Sequence, residues 1–436
     1  MHSFVYGLLG GALIGLAASV LLLFSGDILG ASGIVSSIGL APISSIQNPR
    51  QHWKIVFIAA FFLSSHLFFA SEYEDKDGGL ASLSWAAYLI GGLLVGFGTR
   101  LGNGCTSGHG ICGLARFSKR SMAAVMTFMS IGIITAYFTQ QATTPFGDSA
   151  FAFLRDDSQE PVRVWDKAGA VLSMFLAFVA LVAAAFHPIS ETEDVNTRRK
   201  LAPAAIVGIL FAAGLYVSQM VYPVRVMGFL NVGLIPQGDW DATLMFVMGG
   251  GMTLSFLAYQ FVEGFQLFKG GPSPLAKPLA LTEGSEFCVP SNTIIDRDLV
   301  LGAMCFGMGW GISGLCPGPA MFLASIGVSW VLVCYWPAFF VGAYIASLVK
   351  GKTIPSCFPT SSSSSDSKND SHSTTDLEKA KDGLEKAEET VANDLCDTAV
   401  FDDLDEESGG ITTRATTATI SQTAEAEHPS LAFVDV

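Results

Sequence analysis

The sequence predicts an all-α polytopic membrane protein, with about nine transmembrane helices in two inverted repeats and short inserted helix–loop segments that together form an hourglass. Three observations carry this expectation. Half of the 436 residues are hydrophobic and only 14% are charged, where a soluble chain carries roughly a quarter. Several apolar runs reach the roughly 20 residues that a bilayer-spanning helix needs. Two segments rich in glycine, each with a cysteine, recur at a constant offset of 211 positions, from Cys105 to Cys316.

The first apolar run, residues 4–24, has no basic segment before it and no small-residue cleavage site after it, so it reads as a retained span. Further spans are expected at about 54–70, 81–99, 121–139, 167–187, 201–221, 242–268, 298–312 and 328–349. The second and eighth are short, and the seventh is long enough to tilt. Connections after the odd-numbered spans hold fourteen Lys and Arg residues against five on the other side. The positive-inside rule then puts the N-terminus outside and the C-terminus in the cytoplasm.

The net charge of −14 belongs almost wholly to the end of the chain: residues 351–436 hold 18 acidic and 6 basic residues. That segment is rich in Ser and Thr, with too little apolar surface to offset its ordering entropy, and is expected to be a disordered cytosolic tail. It is either a solubilising tail or a phosphorylatable regulatory one. Such a tail beside a transmembrane domain at 1–350 suggests the plasma membrane. The eight cysteines are spread thinly and do not form the framework of a secreted disulfide-rich domain.

The repeat sets the architecture. "GFGTRLGNGCTSG" (residues 96–108) aligns with "GMGWGISGLCPGP" (residues 307–319), so that Gly96 meets Gly307, Gly98 meets Gly309 and Cys105 meets Cys316. Upstream, Gly91 meets Gly302. A fainter pair, "GLAASVLLLFSGDILG" from residue 15 and "GLYVSQMVYPVRVMG" from residue 214, comes in the same order. The halves are therefore about 1–139 and 201–350. The third and eighth spans differ by an odd number, so the two Gly/Cys segments approach from opposite faces, as in inverted-repeat transporters whose sites lie near the midplane.

Residues 102–113, "GNGCTSGHGICG", are expected to bring bare backbone close to a ligand. Irregular backbone at membrane depth is tolerated where it is buried in protein or faces a wet cavity. A short helix starting near Ser107 would aim unpaired N–H groups inward and favour an anion. Pro317 is suited to start the partner helix. The candidate pore residues are Cys105, Cys316, Gly104, Thr106, Ser107, Gly108, His109, Cys112, Arg100 and Pro317. Cys105 and Cys316 either pack as small buried residues or face one pore axis, and their equivalence in the repeat favours the pore. Cys112 carries either role. His109 is either a donor to an anion or proton carrier, or a donor to the loop's own carbonyls. Arg100 either draws anions into a vestibule or marks the cytoplasmic boundary.

Cofactor motifs are missing from the pattern. No phosphate-cradling loop, dinucleotide fingerprint or Ser–His–Asp arrangement accompanies the glycines, and the Cys and His spacing does not suit zinc. No enzyme, metal, cofactor or nucleic-acid role is expected.

"GNGCTSGHGICGLARFSKRS" (residues 102–121) resembles the signature of the YeeE/YedE sulfur-transport family, and "GLCPGPA" (residues 314–320) resembles its second cysteine segment. "VYPVRVMGFLNVG" and "GDWDATLMFVMGGG", within residues 221–251, look like the opening of that family's second half. The resemblance implies an hourglass-shaped thiosulfate permease in which cysteines pass the ion along without a covalent intermediate. Cys105 and Cys316 match two of those cysteines. A third, in the first inserted segment, has no counterpart here, where Ser25 and Ser32 are the nearest hydroxyls. The resemblance also implies a small cytosolic sulfur-handling partner in some relatives. Two rival functions are a membrane sulfurtransferase holding a persulfide on Cys105, which needs an activated thiolate, and a receptor that signals through its tail.

Overall fold

The computed structural model describes residues 2–69, 83–140, 194–262, 264, 275–282, 285–290 and 292–352. The expected fifth span at 167–187 and the tail from residue 353 lie outside them. Among the described residues the fold is helical, with a single isolated bridge between Val262 and Leu275.

In chain order the helices are α1 (His2–Val20), α2 (Ala31–Leu40), α3 (His52–Ser64), α4 (Trp85–Leu101), the short π-wound α5 (Thr106–Gly113) and α6 (Lys119–Gln140). After the gap come α7 (Asp194–Val217), α8 (Pro223–Leu230), α9 (Thr243–Tyr259), α10 (Arg297–Ser313), α11 (Pro317–Ser325) and α12 (Trp336–Lys352). Four helices among the described residues are long and apolar enough to cross a membrane: Phe4–Ser25, Lys119–Thr139, Val195–Val217 and Val331–Lys350. A fifth arises if α10 and α11, bent by 42° at their junction, count as one broken span. The protein is thus an integral membrane protein. The seventh predicted span, expected to reach residue 268, stops as a helix at Tyr259. There the Gln260 N–H is shared among the carbonyls of Phe256, Leu257 and Ala258, closing the last turn.

Local chemistry explains where these helices begin and end. Ser84 caps α4 by accepting the Ala87 N–H, and Asp296 caps α10 by accepting the Leu299 N–H at 2.7 Å. Pro223 and Pro317 occupy first-turn positions of α8 and α11, where a missing N–H costs nothing. Gly314 ends α10 with φ 64°, a left-handed residue whose N–H closes on the Trp310 carbonyl at 2.8 Å. The chain is thereby turned sharply into Cys316 and α11.

The long helices form two sets. In one, α1 packs on α7 and α9, and α7 packs on α3; in the other, α4 packs on α10 and α12, and α10 packs on α6. The short helices α2, α5 and α8 each touch members of both sets, and α11 packs on α3 and α7 while Trp336 of α12 donates to its Ala320 carbonyl at 3.2 Å, so all four lie between the sets. The seam between α4 and α10 is antiparallel and closes at its glycines. A Cβ on Gly98 would collide with the Phe306 N and the Gly302 carbonyl, while one on Gly309 would meet the Gly91 carbonyl at 2.7 Å and the Val95 N at 2.9 Å. At the 211 offset these are one contact made twice. The same holds for Gly96 against Phe339 and Gly307 against Phe128. Without a hydrophobic driving force between helices in lipid, such close approach supplies the packing energy.

Candidate functional site

Cys105 and Cys316 sit at the same structural position in their respective segments. Each is the extended residue just before a short helix, with φ/ψ of −133°/−164° and −106°/170°. Each carbonyl accepts the first helical N–H four residues on, from His109 at 2.9 Å and from Ala320 at 3.1 Å. Both thiols are free. Cys105 is fully buried and Cys316 half-buried.

Hydroxyl groups connect the two. Thr106 donates to Cys316 Sγ at 3.6 Å, across the gap between α5 and α11. Ser107 Oγ lies 3.2 Å from Cys105 Sγ and accepts the N–H of Ala31, the first residue of α2, also at 3.2 Å. Three short helices therefore converge on one small polar cluster.

This cluster opens on a cavity of about 60 Å³. Cys105, Thr106, Ser107, Cys316, Gly318 and Pro319 line it, together with Ala31 of α2 and Val226 of α8. The remaining wall is apolar and rich in sulfur, with Met129, Met220, Met248, Phe128, Phe211 and Trp310 among its members. The fourth short helix thus reaches the same space. Such a site suits a weakly hydrated, polarizable solute better than a strongly hydrated one, because few donors are present to replace a water shell.

The other sequence candidates fall elsewhere. His109 is buried behind the loop, its Nε2 3.1 Å from the Gly102 carbonyl and its Nδ1 3.1 Å from Ser121 Oγ. A carbonyl can only accept, so Nε2 carries the proton and the neutral ring takes the Ser121 O–H at Nδ1. Gly104 lies against this ring: a Cβ there would come 2.7 Å from His109 Nε2. Gly104→Val is accordingly expected to displace His109, release the Gly102 carbonyl and lose uptake, while the protein still reaches the membrane. Uptake per molecule of membrane-inserted protein measures this. Gly108 faces open space. Arg100, in the last turn of α4, donates from Nε to Ser347 Oγ at 2.8 Å. Pro317 starts α11 beside the cavity without lining it. Cys112 faces a second, smaller cavity with Ser255 and Tyr259.

One rim of the protein carries a charged frame. Arg120 pairs with Asp296 at 2.9 Å and also reaches the Ile294 carbonyl, while Arg116 reaches the Pro290 carbonyl. Partial burial works against the Asp296 charge, but hydrogen bonds from Arg120 and the Leu299 N–H outweigh it and hold this carboxyl below its ordinary range. The pair ties the loop before α10 to the start of α6.

Sequence reasoning missed Trp310 and the methionines. In "GMGWGISG" the tryptophan was legible only as filler between repeat glycines. Its signal was the replacement of Thr99, its partner at the 211 offset, by the largest side chain there is.

Comparison with known proteins matches residues 2–135 to a sulphur-transport family and residues 199–357 to a family of unknown function, DUF6691. Two proteins of Xylella fastidiosa strain Temecula1, each named "probable transporter", are similar to this chain. One is 37% identical over 146 residues, covering 34% of this chain and 84% of the relative. The other is 41% identical over 138 residues, covering 32% of this chain and 96% of the relative. A protein of the same name from strain 9a5c is 38% identical over 138 residues, again 96% of its length.

Proposed function

The chain belongs to the sulphur-transport family, and from that membership we propose that it is a membrane permease for thiosulfate or a similar small sulfur-containing anion. One observation carries the reading: two cysteines equivalent in the repeat cap two short helices and share one cavity, 3.6 Å from sulfur to hydroxyl across it. The anion passes a constriction lined by Cys105 and Cys316, with Thr106 and Ser107 beside them. It meets soft S–H groups in turn instead of binding one site tightly.

About nine spans in two inverted repeats, forming an hourglass, complete the proposal. The doubled glycine contacts of the antiparallel α4–α10 seam support the inversion. So do the packing partners, since α6 on α10 and α12 on α4 are counterparts at the repeat offset. The N-terminus lies outside and the tail in the cytoplasm of a plasma-membrane protein. Tags at residues 2 and 436 are expected to report opposite faces in a protease-protection assay; both on one face would remove the nine-span count.

The sulfurtransferase alternative finds less support. His109 and Arg100, the groups that would activate Cys105, are bonded to Gly102, Ser121 and Ser347 instead. The deciding experiment is uptake of labelled thiosulfate, sulfite and sulfate by proteoliposomes of the purified full chain, with and without a proton gradient. Saturable thiosulfate uptake supports the permease. A stable persulfide on Cys105 without uptake supports the enzyme.

A further inference from the structure

We propose that Trp310 is a substrate-binding residue, whose indole N–H donates a hydrogen bond to an oxygen of the transported anion and so orients it in the cavity. The inference rests on the permease reading and adds the residue that recognises the oxygen end of the ion.

Trp310 is 1% exposed and lies in the wall of the cavity that holds Cys105 and Cys316, and its Nε1, itself shut off from solvent, has no hydrogen-bond partner among the described residues. A buried N–H without a partner is costly, and tryptophan is normally placed where its N–H reaches one. The ring's packing does not require it. Trp310 stacks on Phe306 at 6.0 Å and 13° and meets the edge of Phe128 at 6.0 Å and 83°. A phenylalanine would satisfy both contacts without burying a polar atom. A neutral donor in an apolar wall is instead what an anion shedding water needs.

The donor is also one-sided. Its counterpart at the 211 offset, Thr99, spends its hydroxyl on the Gly96 carbonyl of its own helix at 3.2 Å. The two thiols repeat across the cavity, but the indole does not. A solute with a hard oxygen face and a soft sulfur end is then held in one orientation: oxygens to Trp310, sulfur among the thiols and thioethers. Anions with terminal sulfur and sulfonyl oxygens have that shape.

The test compares the wild-type chain with Trp310→Phe and with the isosteric 3-benzothienylalanine at position 310, which replaces N–H by sulfur and keeps the ring's outline. Thiosulfate binding is measured by calorimetry, uptake in proteoliposomes, and Tm on each purified protein. Both variants are expected to raise the thiosulfate Kd by about tenfold or more, with an unchanged or higher Tm for the isostere, since an unpaired N–H leaves no bond to lose. An unchanged Kd in a folded variant overturns the inference while leaving the permease reading intact. A lower Tm for the isostere, showing that the N–H has a partner within the protein, overturns it too. If Trp310→Phe does not fold, the isostere decides alone. A wild-type chain that neither binds nor transports thiosulfate overturns both readings together.

Discussion

Serine in place of Cys105 or of Cys316 is expected to cut thiosulfate uptake by at least about tenfold at matched protein levels, equivalent to roughly 1.4 kcal/mol in a barrier. The change is small in volume, so packing alone would tolerate it. It replaces a weakly hydrated, polarizable S–H by a harder hydroxyl that holds water more tightly. The two losses should be comparable, because both residues cap a short helix in the same conformation and face the same cavity. The double variant should be hardly worse than either single one, since a path broken once is already interrupted. Cys334, buried but outside that cavity, should tolerate serine with little loss. Uptake near the wild-type rate in the double variant would leave hydroxyls, backbone and helix ends to handle the ion.

Gly98→Val is expected to eliminate folded protein, and Gly309→Val to do the same. Overpacking usually costs about 1–3 kcal/mol because neighbouring side chains can yield. Here the new atoms meet main chain: the Phe306 N and Gly302 carbonyl on one side, the Gly91 carbonyl and Val95 N on the other. Backbone inside a hydrogen-bonded helix cannot rotate aside. A loss above about 3 kcal/mol follows, large against a total stability of about 5–15 kcal/mol. Gly249 of α9 has open space around it, so Gly249→Ala should keep or slightly raise stability. Size-exclusion profiles and Tm of the three variants test this. A monodisperse, wild-type-like Gly98→Val protein would show that the α4–α10 seam is not close-packed.

What could be read in advance followed from covalent pattern. Glycine at 91, 96 and 98, and again at 302, 307 and 309, is a spacing that close helix packing demands, so the repeat was visible as a string of letters. Cys105 and Cys316 could be paired by the same offset. What could not be read depended on direction. The sequence left His109 open between an anion and the loop's own carbonyls; it bonds the Gly102 carbonyl, and its other partner, Ser121 on the next helix, had no local signal. Arg100 likewise turns to Ser347, 247 positions away. Met129 and Met248 lie in helices too apolar for periodicity to tell which face meets a cavity, and Met220 lies in the turn that follows α7. Trp310 shares that ambiguity and adds a polar atom with no partner among the described residues, which no sequence pattern shows.

The close seam between α4 and α10 also limits how the molecule can work as a machine. Main chain meets main chain at Gly98, Gly302 and Gly309, with little more than Ser313 and Leu94 set between the helices, so sliding one helix along the other drives atoms into each other. Rocking one half against the other, the usual engine of inverted-repeat carriers, would have to open and re-form this lock in every cycle. The helices α2, α5 and α11 are fastened to one another at the cavity by contacts as slight as Ala31 to Ser107 and Thr106 to Cys316. On the proposed permease reading, motion during passage would be confined to small parts in a fixed frame. Gating of this kind runs at the pace of side chains and short loops, nanoseconds to microseconds, and not at the slower pace of whole domains. Flux through such a protein should resemble that of a slow channel more than that of a rocking carrier.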